Sequence, residues 1–279
     1  MSLVVSAVKV ILLAFGAAGI LVYLFQGRLI FYPQKLAGPV PDRFRSSELT
    51  LTVQGNLLHG WFVRKRAVSS ESPLIVYYGG NAEEVSCNLD DLDRFDAGAF
   101  LFMNYRGYGA SQGSPGEAAL CRDAVAVLDT LLAREGILPG HVVLMGRSLG
   151  SGVACHVASL RPVGGVILVT PFDSLVAVAR HYYPMFPVGL MLRHRFDSMA
   201  LAPSIRVPML ALVGENDEII PRERSMALTR HWGGQVAAVV IEGAGHNDIH
   251  LSARYWQAVN GFIHDHFPET AGRGVVPVE

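Results

Sequence analysis

Residues 141–150 read HVVLMGRSLG. The run VVLM is apolar and short, the pattern of a strand buried on both faces. It leads straight into Gly146-Arg147-Ser148-Leu149-Gly150, a G-x-S-x-G sequence, and residues 151–160 then read as a helix. A serine between a strand and a helix sits on a sharp, strained turn. Glycines two residues before and after it leave room for neighbouring backbone. The turn lifts the Ser148 hydroxyl above the sheet edge, and the helix that follows aims its first N–H groups at developing negative charge. An ordinary Ser/Gly turn could carry the same letters. The strand before, the helix after and two partners further along decide against that reading.

Working outward, residues 73–78, 99–104, 163–169, 208–213 and 236–241 are further apolar, β-rich runs. Helix-like stretches separate them, notably 117–135, 151–160, 223–232 and 251–267. That alternation predicts a mostly parallel sheet with helices on both faces. Residues 47–53 and 57–63 flank Gly55-Asn56 and read as an opening hairpin. Residues 68–73 read as a loop.

Ligands and catalytic groups of open α/β sheets collect beyond the carboxyl ends of the strands. Residues 209–213 end in Gly214-Glu215-Asn216-Asp217, which makes Asp217 the candidate acid. Glu215 and Glu218 read as solvated neighbours, and Asp173 is a second, lower-ranked acid. One strand later, Glu242-Gly243-Ala244-Gly245-His246 puts His246 at the same edge. His250, His264 and His266 fall in or near the last helix and read as surface or cap residues. The chemistry needs this set: a hydroxyl is a weak nucleophile until a base takes its proton. His246 is that base and then the acid, and Asp217 fixes its tautomer.

Hairpin, βα units, serine turn, acid and base come in the order of an α/β hydrolase. In that fold the loop after the third strand, here Gly79-Gly80-Asn81-Ala82, supplies one backbone N–H to the oxyanion. The residue after the nucleophile supplies the other. The expected donors are Asn81 or Ala82, together with Leu149. A glycine turn that merely lets the chain leave the sheet is the plainer alternative.

The amino terminus is of another kind. Residues 10–25, VILLAFGAAGILVYLF, carry no charge. Counted from Leu3 the run spans about 35 Å as a helix, enough for a bilayer core of about 30 Å. Lys9 can snorkel to the headgroups. A cleaved signal peptide and a buried core helix are the rival readings; no A-x-A site follows the run. The expected division is a membrane anchor at 1–27, a linker at 28–46, a catalytic domain at 47–268 and a flexible tail at 269–279. Arg28, Lys35, Arg43 and Arg45 follow the helix, so the positive-inside rule puts the domain in the cytoplasm. Tyr23, Phe25, Phe31 and Tyr32 suit an interface belt.

The chain as a whole has 279 residues, 51% hydrophobic and 17% charged, with a net charge of −1. That is enough for one large domain and excludes the basic footprint of a nucleic-acid binder. Cys87, Cys121 and Cys155 form no CxxC and no metal spacing, and read as small buried thiols within helices. No H-E-x-x-H or dinucleotide fingerprint occurs.

With LIFYPQ, YYGGNAEE, NYRGYGASQGSPGE, GRSLGSGVA, GENDEIIP and GAGHNDI on the page, the chain resembles the membrane-anchored α/β-hydrolase domain-containing proteins. It is similar to their serine aminopeptidase and monoacylglycerol-lipase-like branch. The resemblance implies Ser148, Asp217 and His246 as the triad and no cofactor or metal. It departs in two places: Gly79 stands where the family usually has His, and Asn104 where it often has Asp. Residues 105–109 read as a structural loop. An insertion at about 171–207, with Tyr182, Tyr183, Met185, Phe186, Leu190 and Met191, reads as an apolar lid or as a plain packing pair. The expected activity is cleavage of acyl esters or thioesters on apolar, lipid-like substrates. A peptidase or amidase, and a non-catalytic scaffold, are the alternatives.

Overall fold

The computed structural model describes residues 2–36, 38–65 and 72–268. The tail at 269–279 and most of the loop at 68–73 lie outside the described residues.

Eight strands form one sheet in the order β1-β2-β4-β3-β5-β6-β7-β8. They are β1 (Glu48–Val53), β2 (Asn56–Arg64), β3 (Leu74–Tyr78), β4 (Ala99–Met103), β5 (Val142–Arg147), β6 (Gly165–Val169), β7 (Met209–Gly214) and β8 (Val236–Ile241). β2 runs antiparallel to β1 and β4, and β3 through β8 are parallel to one another. The hairpin turn sits one residue earlier than Gly55-Asn56. Gln54 and Gly55 both take positive φ, 49° and 75°, and Val53 pairs with Asn56. Two left-handed residues match the twist of a two-residue hairpin.

The middle strands β3, β4, β6 and β7 are buried along their whole length. Alternation along β5 divides the core: Val142 and Leu144 face one apolar cluster, Val143 and Met145 the other. The first cluster lies under the helices α3 (Glu117–Glu135), α4 (Leu149–Leu160) and α8 (Arg222–His231). The second lies under α9 (Ala253–His266) and a 3-10 run, Val85–Arg94. That run replaces an α-helix in the β3–β4 crossover. Within it Asn88 Nδ2 donates to the Val85 carbonyl at 3.3 Å, a local bond that competes with the helical ladder. Cys121 and Cys155 are buried in α3 and α4 as expected, but Cys87 is exposed on the 3-10 run.

The first helix, α1 (Ser2–Ile30), outruns its expected end. Gln26, Gly27 and Arg28 are polar or small yet carry no stop signal. The first real one is Pro33, which pushes the preceding residue out of the helical region. Within Leu3–Ile30 the most apolar 18 residues have a mean hydropathy of 2.3, and the helix is long and apolar enough to cross a membrane. A short helix, α2 (Asp42–Arg45), interrupts the segment expected as a linker. Between β6 and β7 the chain makes three short helices, α5 (Leu175–Tyr182), α6 (Val188–Met191) and α7 (Ser198–Leu201).

Candidate active site

Ser148 takes φ 50° and ψ −116°, in the strained region expected of a strand-to-helix turn. Its N–H donates to the Val169 carbonyl at 2.8 Å, and its own carbonyl accepts from the Ser151 N–H at 2.9 Å. The glycines are steric necessities. A Cβ on Gly146 would stand 2.4 Å from the Gly150 carbonyl oxygen, and one on Gly150 would stand 2.1 Å from that of Tyr78.

His246 lies past β8, beyond a turn in which Gly243 takes φ 69°. Its Nε2 is 2.9 Å from Ser148 Oγ. Its Nδ1 is 2.8 Å from Asp217 Oδ2. The other oxygen of Asp217 accepts the N–H groups of Ile219 at 2.9 Å and Ile220 at 2.7 Å. Two backbone donors thus hold the carboxylate so that its free oxygen meets the imidazole. The side chains of His246 and Asp217 are 7% and 2% exposed, so little water competes for these bonds. The three side chains singled out in the sequence are therefore hydrogen-bonded in series.

The other candidates are occupied elsewhere. Asp173 pairs with Arg224 at 3.0 Å and accepts the Ser174 N–H at 2.7 Å. Burial raises its pKa despite that partner. Glu215 accepts the Gly243 N–H at 2.9 Å. His264 pairs with Asp96 at an exposed site, and His266 packs on Phe262. His250 lends its carbonyl to the Trp256 indole N–H at 2.7 Å.

At the loop after β3, Ala82 takes φ 56° and donates its N–H to Asn81 Oδ1 at 3.1 Å. Among the described residues the Asn81 N–H has no protein acceptor. Leu149 opens α4, where first-turn N–H groups lack an intrahelical partner. Asn81 and Leu149 therefore offer free amides, whereas that of Ala82 is engaged within the loop.

One network was invisible in the sequence. The Arg147 guanidinium, beside the serine, reaches Glu83 Oε2 at 3.0 Å and Asn247 Oδ1 at 2.9 Å. Glu83 also accepts the Gly80 N–H at 2.7 Å and the Tyr77 hydroxyl at 2.7 Å. Burial is the largest single influence and disfavours the Arg147 charge, but Glu83 together with Tyr77 and Tyr255 outweighs it and raises the guanidinium pKa. The burial of Tyr77, reinforced by Glu83, likewise keeps its phenol neutral. The serine turn, the loop after β3 and the histidine loop are thereby tied together. Asn104 serves the same loop: it accepts the Val85 N–H at 3.2 Å and donates to Glu84 at 2.6 Å. In the neighbouring loop Arg106 pairs with Asp123 at 2.6 Å, and the Tyr105 hydroxyl donates to the Gly79 carbonyl at 3.0 Å.

A family model described as serine hydrolase matches residues 123–264, half of the chain. The chain belongs to the serine hydrolase family. A Mycobacterium tuberculosis protein named as uncharacterized is 32% identical to this serine hydrolase over 254 residues, covering 87% of this chain and 88% of that one. The human alpha/beta hydrolase domain-containing protein 17C is 30% identical over 197 residues, covering 70% of this chain and 54% of its own length. Among solved structures, a Pyrococcus furiosus esterase superposes with a TM-score of 0.66 at 16% identity, covering 85% of this chain and 98% of that one. An acetyl xylan esterase from Paenibacillus sp. R4 gives 0.63 at 20% identity, covering 88% and 94%. At such identities these two establish the α/β-hydrolase fold of this serine hydrolase and nothing finer.

Proposed function

We propose that the protein cleaves acyl esters or thioesters through a covalent acyl-enzyme, and that α1 anchors it in a membrane. Ser148 is the nucleophile, His246 the base and Asp217 the orienting acid. As the Ser148 oxygen bonds to the substrate carbonyl carbon, its proton moves to His246 Nε2. The carbonyl oxygen becomes an oxyanion facing the free N–H groups of Asn81 and Leu149. Each such donor is worth roughly 3–4 kcal/mol in the transition state. Collapse breaks the bond to the leaving alcohol or thiol, which takes the proton from His246. Water then repeats the cycle on the acyl group: it gives its proton to His246, and Ser148 recovers it. The sequence of steps needs no cofactor or metal.

The observation that carries this reading is the Ser148–His246–Asp217 series at 2.9 and 2.8 Å. An apolar, lipid-like acyl group is favoured by the segment between β6 and β7, which exposes Tyr183, Met185 and Leu190. The apolar α1 would keep the enzyme where such substrates concentrate, with the domain on the cytoplasmic side by the positive charges that follow it.

The test is a series of p-nitrophenyl esters from acetate to palmitate, run beside aminoacyl anilides with Ser148→Ala as control. Turnover of esters that rises with chain length is the expected result. Preferential turnover of anilides would make the protein a peptidase. No Ser148-dependent turnover of either would leave only a scaffold.

A further inference from the structure

The end of the apolar helix and the loop after β3 share one side chain. Ile30 closes α1, and its carbonyl is among those that no N–H of the helix can reach. The Asn81 amide Nδ2, 51 residues away, donates to that carbonyl. Asn81 Oδ1 accepts the Tyr32 N–H at 3.0 Å, just past the helix. The same oxygen accepts the Tyr108 hydroxyl at 3.0 Å and the Ala82 N–H at 3.1 Å. One carboxamide therefore caps α1, holds the irregular exit from it and folds its own loop.

The same stretch of α1 grips the segment between β6 and β7. Gln26 is 3% exposed, a buried polar group in a largely apolar helix. Its Nε2 donates to the Met191 carbonyl at 3.1 Å, and its Oε1 accepts the Arg193 N–H at 2.7 Å. A buried amide with every bond made fixes geometry more than it adds stability. Just after α1, the Gly109 N–H donates to the Gln34 carbonyl at 2.7 Å. The helix end is thus held from two sides.

We propose that the Asn81 side chain is a positioning residue that sets the oxyanion loop from the end of α1, making the anchor's last turns part of the catalytic apparatus. The proposal rests on the acyl-hydrolase reading above. The Asn81 N–H that would meet the oxyanion is two bonds from the side chain that caps the helix. A displacement of α1 is passed to that N–H with no flexible linker between. Misplacement of a reacting group by 1 Å can cost about a hundredfold in rate.

The experiment uses the full chain in lipid nanodiscs, with functional sites counted by end-point titration with a fluorophosphonate. Asn81→Ala is expected to lower kcat per titrated site by about 10- to 100-fold with KM within about twofold. A merely structural role would reduce the number of titratable sites and leave kcat per site unchanged, which would overturn the proposal. Gln26→Leu lies outside the loop and serves also if the Asn81 variant does not accumulate. It should lower kcat per site in the same direction, and the double variant should lose less than the product of the single losses. Losses that multiply, or a Gln26→Leu enzyme with normal kcat per site, would overturn the coupling to α1. A wild-type protein that neither labels nor hydrolyses esters would instead remove the acyl-hydrolase reading itself.

Discussion

The rim that carries Ser148 and the segment between β6 and β7 are built in opposite ways. At the rim, His246 and Asp217 are nearly sealed and each bond has a single geometry. In the segment, Met185 and Leu190 are each 86% exposed. The rim is positioned by parallel strand ends: Arg147 pairs with Val169 and Gly214 with Ile241. The segment is held at its borders by a few side-chain bonds, such as Tyr182 Oη to the carbonyls of Glu218 at 2.5 Å and Ile219 at 3.1 Å, and Gln26 to Met191 at 3.1 Å and Arg193 at 2.7 Å. Precision is concentrated where a proton must move over one short bond. The apolar side chains of the segment stand exposed.

That contrast can be broken most severely at the rim. Ser148→Ala should lower kcat by about a millionfold, as measured with a p-nitrophenyl ester. Asp217→Asn should lower it by about ten thousandfold, because the imidazole loses its orienting acceptor. Asp173→Asn sharpens the comparison. It should leave kcat within about threefold while lowering thermal stability, since the Arg224 guanidinium, itself 34% exposed, would lose its charged partner. A larger loss of kcat at Asp173 than at Asp217 would exchange the two assignments.

Changes in the segment should act on substrate capture alone. Met185→Ser combined with Leu190→Ser should raise KM for palmitoyl esters in vesicles severalfold and leave acetate turnover unaltered. The melting temperature should shift little, because substitutions at exposed sites usually stay within about 0.5 kcal/mol. The smallest expected effect is a pH dependence where the segment meets α3. His194 Nδ1 accepts the Glu117 N–H at 3.3 Å, which requires a neutral ring. Burial, aided by Arg193 and opposed by Glu117, depresses its pKa below the ordinary 6.5. As pH falls through 6.5 the unfolded chain takes up the proton first, so stability is flat above that value and declines below it. His194→Asn keeps an acceptor without the titration. It should flatten the acid side of a plot of melting temperature against pH.

The legible parts of the sequence were those with local physical causes. Apolar runs marked both-face burial in β5, β6 and β7, and the glycines around Ser148 marked backbone contacts closer than a Cβ allows. Asp217 and His246 could be placed together because each follows a strand that ends at one edge of the sheet. The illegible parts were long-range polar pairings. Asn81 meets Ile30 across 51 residues, Arg147 meets Glu83 across 64 and Asn247 across 100, and none leaves a periodic trace. The helix α1 continues past residue 27, where the anchor was expected to end, because polar Gln26 finds a partner within the fold. The Gln26 amide is consumed by the segment that packs against the helix. The hairpin turn moved by one residue because Gln54, with no special turn chemistry, takes a positive φ beside Gly55.

The central claim is that Ser148 is made nucleophilic by the histidine bonded to it. Peptide mapping by mass spectrometry after reaction with a fluorophosphonate measures this directly. The account predicts a single phosphonyl adduct on Ser148 in the wild-type chain and almost none in a folded His246→Ala variant. An adduct on another residue, or undiminished labelling of Ser148 without the imidazole, would contradict it.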